Sequence, residues 1–227
     1  MIDGRGGRIV TANLDHFRRA ASDADLKGLI TAGDLVIADG MPLVWASRIA
    51  GRPLPERVAG SDLIRSLSKS ARDAGCSVFL LGGRPGAAAK AGRTLAAEFS
   101  GLSVAGTSCP EPGFETEPAE LERVGTEIAL SAPRVVFVAL GFPKQDRVID
   151  ILRGYHPDAW YVGVGASIDF VAGHVSRAPA WMQRSGTEWI FRLAREPRRL
   201  ARRYVIHGLP FAIRLFAWAL ATRFDRA

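Results

Sequence analysis

Residues 134–146 read Arg134-Val-Val-Phe-Val-Ala-Leu-Gly-Phe-Pro-Lys-Gln-Asp146. From Val135 to Leu140 the side chains are apolar without alternation. A strand wetted on one face alternates apolar and polar residues; a strand covered on both faces has no polar side. Gly141 closes the run, and Pro143 stands where a helix can begin, since its fixed φ suits a first turn. The stretch predicts a buried strand, a tight turn and a helix, the unit from which parallel sheets are built.

The same alternation extends outward from this unit. Strands are predicted over Arg8–Ala12, Leu35–Ala38, Ser77–Leu81, Leu102–Gly106, Arg134–Leu140 and Trp160–Gly165. Helices are predicted over Leu14–Ala32, Met41–Ala50, Ser61–Ala74, Pro85–Phe99, Glu117–Leu130 and Pro143–Arg153. After Pro179 only helices remain: Gly186–Arg195, Pro197–His207 and Pro210–Phe224, with a bend at each of the two prolines. The expected fold is α/β: a mostly parallel, Rossmann-like sheet covered by helices over residues 1–183, with a basic helical appendage over 184–227.

The chain has 227 residues, 48% of them hydrophobic, a composition that excludes intrinsic disorder. Its net charge is +7, and only four of the 30 basic residues are lysine. Residues 184–227 hold ten arginines against Glu188, Glu196 and Asp225, so the body sums to zero and the tail carries the excess. That asymmetry points to a phosphate-bearing partner: nucleic acid, anionic lipid or a diphosphate. Cys76 and Cys109 form no CxxC pair and the histidines are scattered, so neither a zinc site nor a disulfide framework is expected. No signal-type apolar segment opens the chain. The longest apolar run, Leu209–Ala221, covers 13 residues and contains Arg214, short of the roughly 20 that span a bilayer. With Arg223 and Arg226 it reads as a helix lying in the membrane interface, the alternative being that its apolar residues pack against the body or a second subunit.

Ligands of open α/β sheets bind beyond the carboxyl ends of the strands. The six predicted ends carry Thr11 and Asn13, then Asp39-Gly40, Gly82-Gly83-Arg84-Pro85-Gly86, Gly106, Gly141 with Lys144-Gln145, and finally Gly163, Gly165 and Asp169. Each piece also has an ordinary structural role: glycine as a turn, Asn13 as a helix cap, Gln145 as a first-turn residue. The glycine loop is not GxGxxG, and no acidic residue ends the next strand to meet a ribose. Asp23-Ala-Asp25 matches a metal–nucleotide DxD pattern, but it sits in a helical stretch with no strand ahead of it. Glu188 and Glu196 read as local partners of arginines. These observations leave three readings open: a nucleotide-sugar transferase, a Rossmann-type oxidoreductase, and a nucleic-acid binder using the basic tail.

Taken in order, the motifs are more specific than their parts. Thr11-Ala-Asn13-Leu-Asp15-His16 is followed by Ala38-Asp39-Gly40-Met-Pro-Leu-Val-Trp45 and Arg57-Val-Ala-Gly60-Ser-Asp62. Then come Phe79-Leu-Leu-Gly82-Gly-Arg-Pro85-Gly86, Gly141-Phe-Pro-Lys-Gln145, Gly163-Val-Gly-Ala-Ser-Ile-Asp169 and Gly186-Thr-Glu188-Trp189 with the arginines after it. From about residue 8 to residue 205 the chain resembles the WecG/TagA/CpsF glycosyltransferases. The resemblance implies an inverting transfer, without metal or other cofactor, from a UDP-sugar to a polyprenyl-diphosphate-linked sugar. The setting it implies is the cytoplasmic face of a bacterial plasma membrane, with the enzyme peripheral on an anionic surface and the product entering cell-surface polysaccharide or teichoic-acid-type polymers. It places the base on Asp39 and other pocket residues on Thr11, Asn13, Arg57 and Gln145. The UDP contacts fall on Gly82, Gly83, Gly106, Gly141 and Asp169, and the diphosphate contacts on Arg192, Arg199 and Arg202. Nucleic acid is not an expected partner, and self-association is left open. The family usually has PKQE where this chain has Pro143-Lys144-Gln145-Asp146. The shorter acid keeps the charge but not the reach, which counts against direct contact with substrate at Asp146.

Overall fold

The computed structural model describes residues 4–224. In chain order the elements are β1 (Gly7–Ala12), α1 (Leu14–Ala20), α2 (Ala24–Thr31), β2 (Leu35–Ala38), α3 (Met41–Ile49), α4 (Gly60–Asp73), β3 (Ser77–Gly82), α5 (Ala87–Glu98), β4 (Ser103–Ser108), α6 (Pro118–Ser131), β5 (Val135–Ala139), α7 (Lys144–Leu152), β6 (Trp160–Gly163) and α8 (Ser167–Val171). The helical remainder is α9 (Ala180–Arg184), α10 (Glu188–Arg195), α11 (Pro197–Ala201), a π-helical turn (Arg202–Gly208) and α12 (Leu209–Phe224).

Two compact units emerge. Of the described residues, the first comprises 4–11, 31–36 and 60–176; the second comprises 12–30, 37–59 and 177–224. The described part of the basic segment, residues 184–224, is grouped with α1, most of α2 and α3.

The sheet is six-stranded and parallel, in the order β2-β1-β6-β5-β3-β4. Every side chain of β5 is buried, as the unbroken apolar run requires. Phe79, Leu81, Val136, Val138 and Tyr161 share one core with Leu121, Val124 and Ile128 of α6 and Val148, Ile149 and Leu152 of α7. The predicted helix Leu14–Ala32 is two helices. Asp23 starts the second by accepting the Leu26 N–H at 3.0 Å, the cap that Ser, Thr, Asp and Asn supply at helix starts. The DxD aspartate is thus a capping residue.

In the second unit one expectation changes. Pro210 does not open a separate helix: the helix runs unbroken over Pro197–Phe224, 28 residues. Proline lacks an N–H and its ring crowds the preceding turn. Here the chain reaches Pro210 through the wider π-helical turn, and Pro210 falls in the first turn of α12. An 18-residue window of this helix has mean hydropathy 1.4 and is 17% buried. By length and composition the helix could cross a membrane, so the shortness inferred from the 13-residue run does not hold. Within α12 the buried residues are Ala212 and Ala219, seven apart on one face, while α12 packs on α3 and α1. Leu209, Ile213, Trp218, Leu220 and Phe224 are exposed. Arg226 lies outside the described residues.

Candidate functional site

In parallel sheets the crevice for a ligand opens where adjacent strands send their connections to opposite sides. In this order that point falls between β3, which leads through α5 outward to β4, and β5, which leads through α7 back to β6. Both exits are turns in the left-handed region open to glycine: φ is +93° at Gly82, +85° at Gly83 and +74° at Gly141. The Gly83 N–H donates to Ala139 O at 3.1 Å, which joins the two exits. Asp169 Oδ1 accepts the Arg84 N–H at 3.0 Å, and a Cβ on Gly83 would stand 3.5 Å from that oxygen. Gly82, Gly83 and Asp169 therefore meet at one edge, with Gly141 on the adjoining exit.

Gly106 is differently placed. β4 continues to Ser108, so Gly106 lies inside the strand rather than at its exit. A Cβ there would come within 2.5 Å of the Phe79 ring, which accounts for the glycine without a ligand.

Thr11 and Gln145 are buried, 4% and 2% exposed, and both turn toward the exit of β6. Thr11 Oγ1 donates to Gly163 O at 2.6 Å. Gln145 Oε1 accepts the N–H of Gly141 at 3.2 Å and that of Gly165 at 3.1 Å. Beside them, Lys144 pairs with Glu115 from the segment between β4 and α6.

The second unit gathers a different set. The Asp39 N–H donates to Ala12 O at 2.7 Å and the Val58 N–H to Ala38 O at 3.0 Å. These bonds bring Asn13, half-buried Asp39 and Arg57 together from three separate stretches of chain. Asn13 caps α1: its Oδ1 accepts the N–H of Asp15 at 3.0 Å and of His16 at 3.3 Å. Arg57 pairs at 3.4 Å with Glu188, each side chain 15% exposed. Glu188 is thus an arginine partner, but to Arg57 far along the chain rather than to a neighbour. Arg192 follows Glu188 by one turn of α10. Arg199, 61% exposed, pairs with Glu196 at 2.6 Å, and Arg202 is exposed on the π-helical turn.

Sequence reasoning missed His16 in this set. Its Nδ1 accepts the Asn13 N–H at 3.2 Å, so the two residues close a reciprocal capping box. The signal was its place three residues after the cap. Burial, and then the Arg203 charge, push its pKa down from 6.5 to about 4; Arg19 adds to this and Asp15 opposes it. Arg203 Nε lies 3.5 Å from Asp15 Oδ2. Among the described residues, no three His, Cys, Asp or Glu side chains are grouped so as to hold a metal ion.

Two comparisons bear on this arrangement. The profile of the "Glycosyl transferase WecG/TagA/CpsF family" matches residues 1–225. An N-acetylglucosaminyldiphosphoundecaprenol N-acetyl-beta-D-mannosaminyltransferase of Bacillus spizizenii is 35% identical over 198 residues, which cover 87% of this chain and 75% of that protein.

His16 makes the fold sensitive to acid. A base whose pKa is lowered by folding binds fewer protons in the native state, so stability falls as the pH drops from 6.5 toward 4. Between pH 7 and pH 5 this linkage costs the wild type about 2 kcal/mol. His16→Gln keeps an acceptor for the Asn13 N–H and removes the titration. Urea unfolding at the two pH values is expected to show a smaller loss for this variant by about that amount.

Proposed function

The chain belongs to the WecG/TagA/CpsF glycosyltransferase family, and on that premise we propose that it moves a sugar from a UDP-sugar onto a polyprenyl-diphosphate-linked sugar. The name of the Bacillus relative makes UDP-N-acetylmannosamine and N-acetylglucosaminyl-diphosphoundecaprenol the first donor and acceptor to assay. The convergence of Asn13, Asp39 and Arg57, three residues that the family pattern marks independently, is the observation that carries the reading.

Asp39 is the base. It takes the proton from the acceptor hydroxyl as that oxygen attacks the anomeric carbon, the C–O bond to UDP breaks, and the configuration inverts. A positioned base of this kind contributes about 10²- to 10⁴-fold. UDP leaves with growing negative charge, which guanidinium groups meet as two-point donors to phosphate. Arg57, Arg192, Arg199 and Arg202 are assigned that charge, and Arg57 exchanges Glu188 for phosphate. Gly82, Gly83, Gly141 and Asp169 are assigned to the nucleotide.

The tail is assigned to the membrane. Ile213, Trp218, Leu220 and Phe224 stand exposed on α12 while Ala212 and Ala219 are buried, and Arg214 and Arg223 lie among the exposed residues. Apolar area together with arginines suits an anionic interface, where each basic residue contributes about 1 kcal/mol. The protein then works at the inner face of the plasma membrane, where a lipid-linked acceptor is presented.

Asp39→Asn is expected to lower transfer by about 10²-fold or more while calorimetric UDP binding is unchanged. Near-normal turnover would remove Asp39 as the base. The triple variant Ile213→Ser/Trp218→Ser/Leu220→Ser, which spares the buried Ala212 and Ala219, is expected to lose flotation with phosphatidylglycerol liposomes and keep its helical circular dichroism. Undiminished flotation would rule out this face as the membrane contact.

A further inference from the structure

Arg8, the second residue of β1, is fully buried. Its guanidinium reaches α7, where Nη2 lies 3.2 Å from Asp146 Oδ1 and Nη1 lies 2.5 Å from Asp150 Oδ1. Asp146 is 1% exposed, whereas the Asp150 side chain is 44% exposed. The Arg8 N–H donates to Asp34 Oδ2 at 2.7 Å. One buried cation therefore holds β1 against the first two turns of α7. Each partner shares its element with a residue that faces the β6 exit. Thr11 follows Arg8 by three positions on β1, and Gln145 precedes Asp146 on α7.

The bonds of Thr11 and Gln145 show what this tie holds. Thr11 fixes Gly163, and Gln145 bridges Gly141 and Gly165, so the exits of β5 and β6 are joined through one side-chain amide. The fit is close: a Cβ on Gly163 would stand 2.5 Å from Gln145 Nε2. Gln145 Oε1 is occupied by two backbone donors and the Thr11 O–H by a carbonyl, so both side chains are engaged in holding the exits.

We propose that Arg8 and Asp146 are positioning residues for the donor end of the transfer: their buried ion pair sets Gln145 and Thr11, which hold the exits of β5 and β6 in the form that receives the nucleotide. The proposal rests on the donor reading above and deepens it. It gives the acid of the Pro143–Asp146 motif a role that needs charge and not reach toward substrate. Burial pushes the Asp146 pKa up to about 6 against the pull of Arg8.

Amide hydrogen exchange on the full chain tests the tie directly. In Asp146→Asn the Gly141 and Gly165 amides are expected to exchange about tenfold faster or more, and in Asp146→Glu at close to the wild-type rate. UDP titrated into the same proteins is expected to bind about tenfold more weakly to Asp146→Asn and normally to Asp146→Glu. Unchanged exchange at both glycines overturns the positioning role. Faster exchange with unchanged UDP affinity overturns its bearing on the donor. If the wild type binds no UDP while exchange responds as expected, the donor reading fails and the positioning of the two exits stands. Should Asp146→Asn not fold, Arg8→Met/Asp146→Leu removes both charges together and carries the same exchange measurement.

Discussion

A charged guanidinium with no exposure, near the start of β1, ties that strand to α7 and constrains the first unit. Desolvating such a group costs several kcal/mol, and a buried pair recovers that only with good geometry. Removing one partner of a buried pair typically costs about 3–5 kcal/mol, because the other charge is left uncompensated. Arg8 therefore fixes where α7 can lie, since Asp146 and Asp150, one turn apart on that helix, both pair with it. The placement of α7 in turn sets Gln145, and Gln145 sets the two strand exits. An apolar contact of equal area would hold the helix to the sheet but not at one register, because hydrophobic burial is non-directional.

The second unit solves a different problem with short helices and capping. Asn13, Asp39 and Arg57 come from three stretches of chain and are aligned by backbone bonds to Ala12 and Ala38. The His16–Asn13 capping box keeps α1 in place with a histidine held neutral by burial. The tail contributes Glu188 to Arg57 and buried alanines to α3 and α1, and it leaves its large apolar side chains outward. One segment thus combines an ion pair to a residue of the proposed phosphate set with a surface suited to a lipid interface.

Much of this was legible in the sequence. The unbroken run at Val135–Leu140 announced β5 and with it a sheet buried on both faces. The glycines after β3 and β5 fell at the switch point because turn chemistry is local. What stayed hidden depended on distant partners. An arginine at the start of a strand looks like an edge residue until Asp146 and Asp150, 138 and 142 positions away, are brought to it. Gly106 read as an exit because the Phe79 ring that requires it lies on another strand. Pro210 read as a helix start because a π-helical turn has no sequence mark comparable to proline's. Thr11 and Gln145 were visible as members of the motif string, but their burial was not.

The central claim is that the exits of β3 and β5 form the seat of a nucleotide sugar. It is tested most directly by amide exchange of the wild-type protein with and without UDP, read peptide by peptide. The account predicts that UDP slows exchange across residues 82–86 and 139–146. Binding of UDP with protection elsewhere and none in these two segments would contradict it.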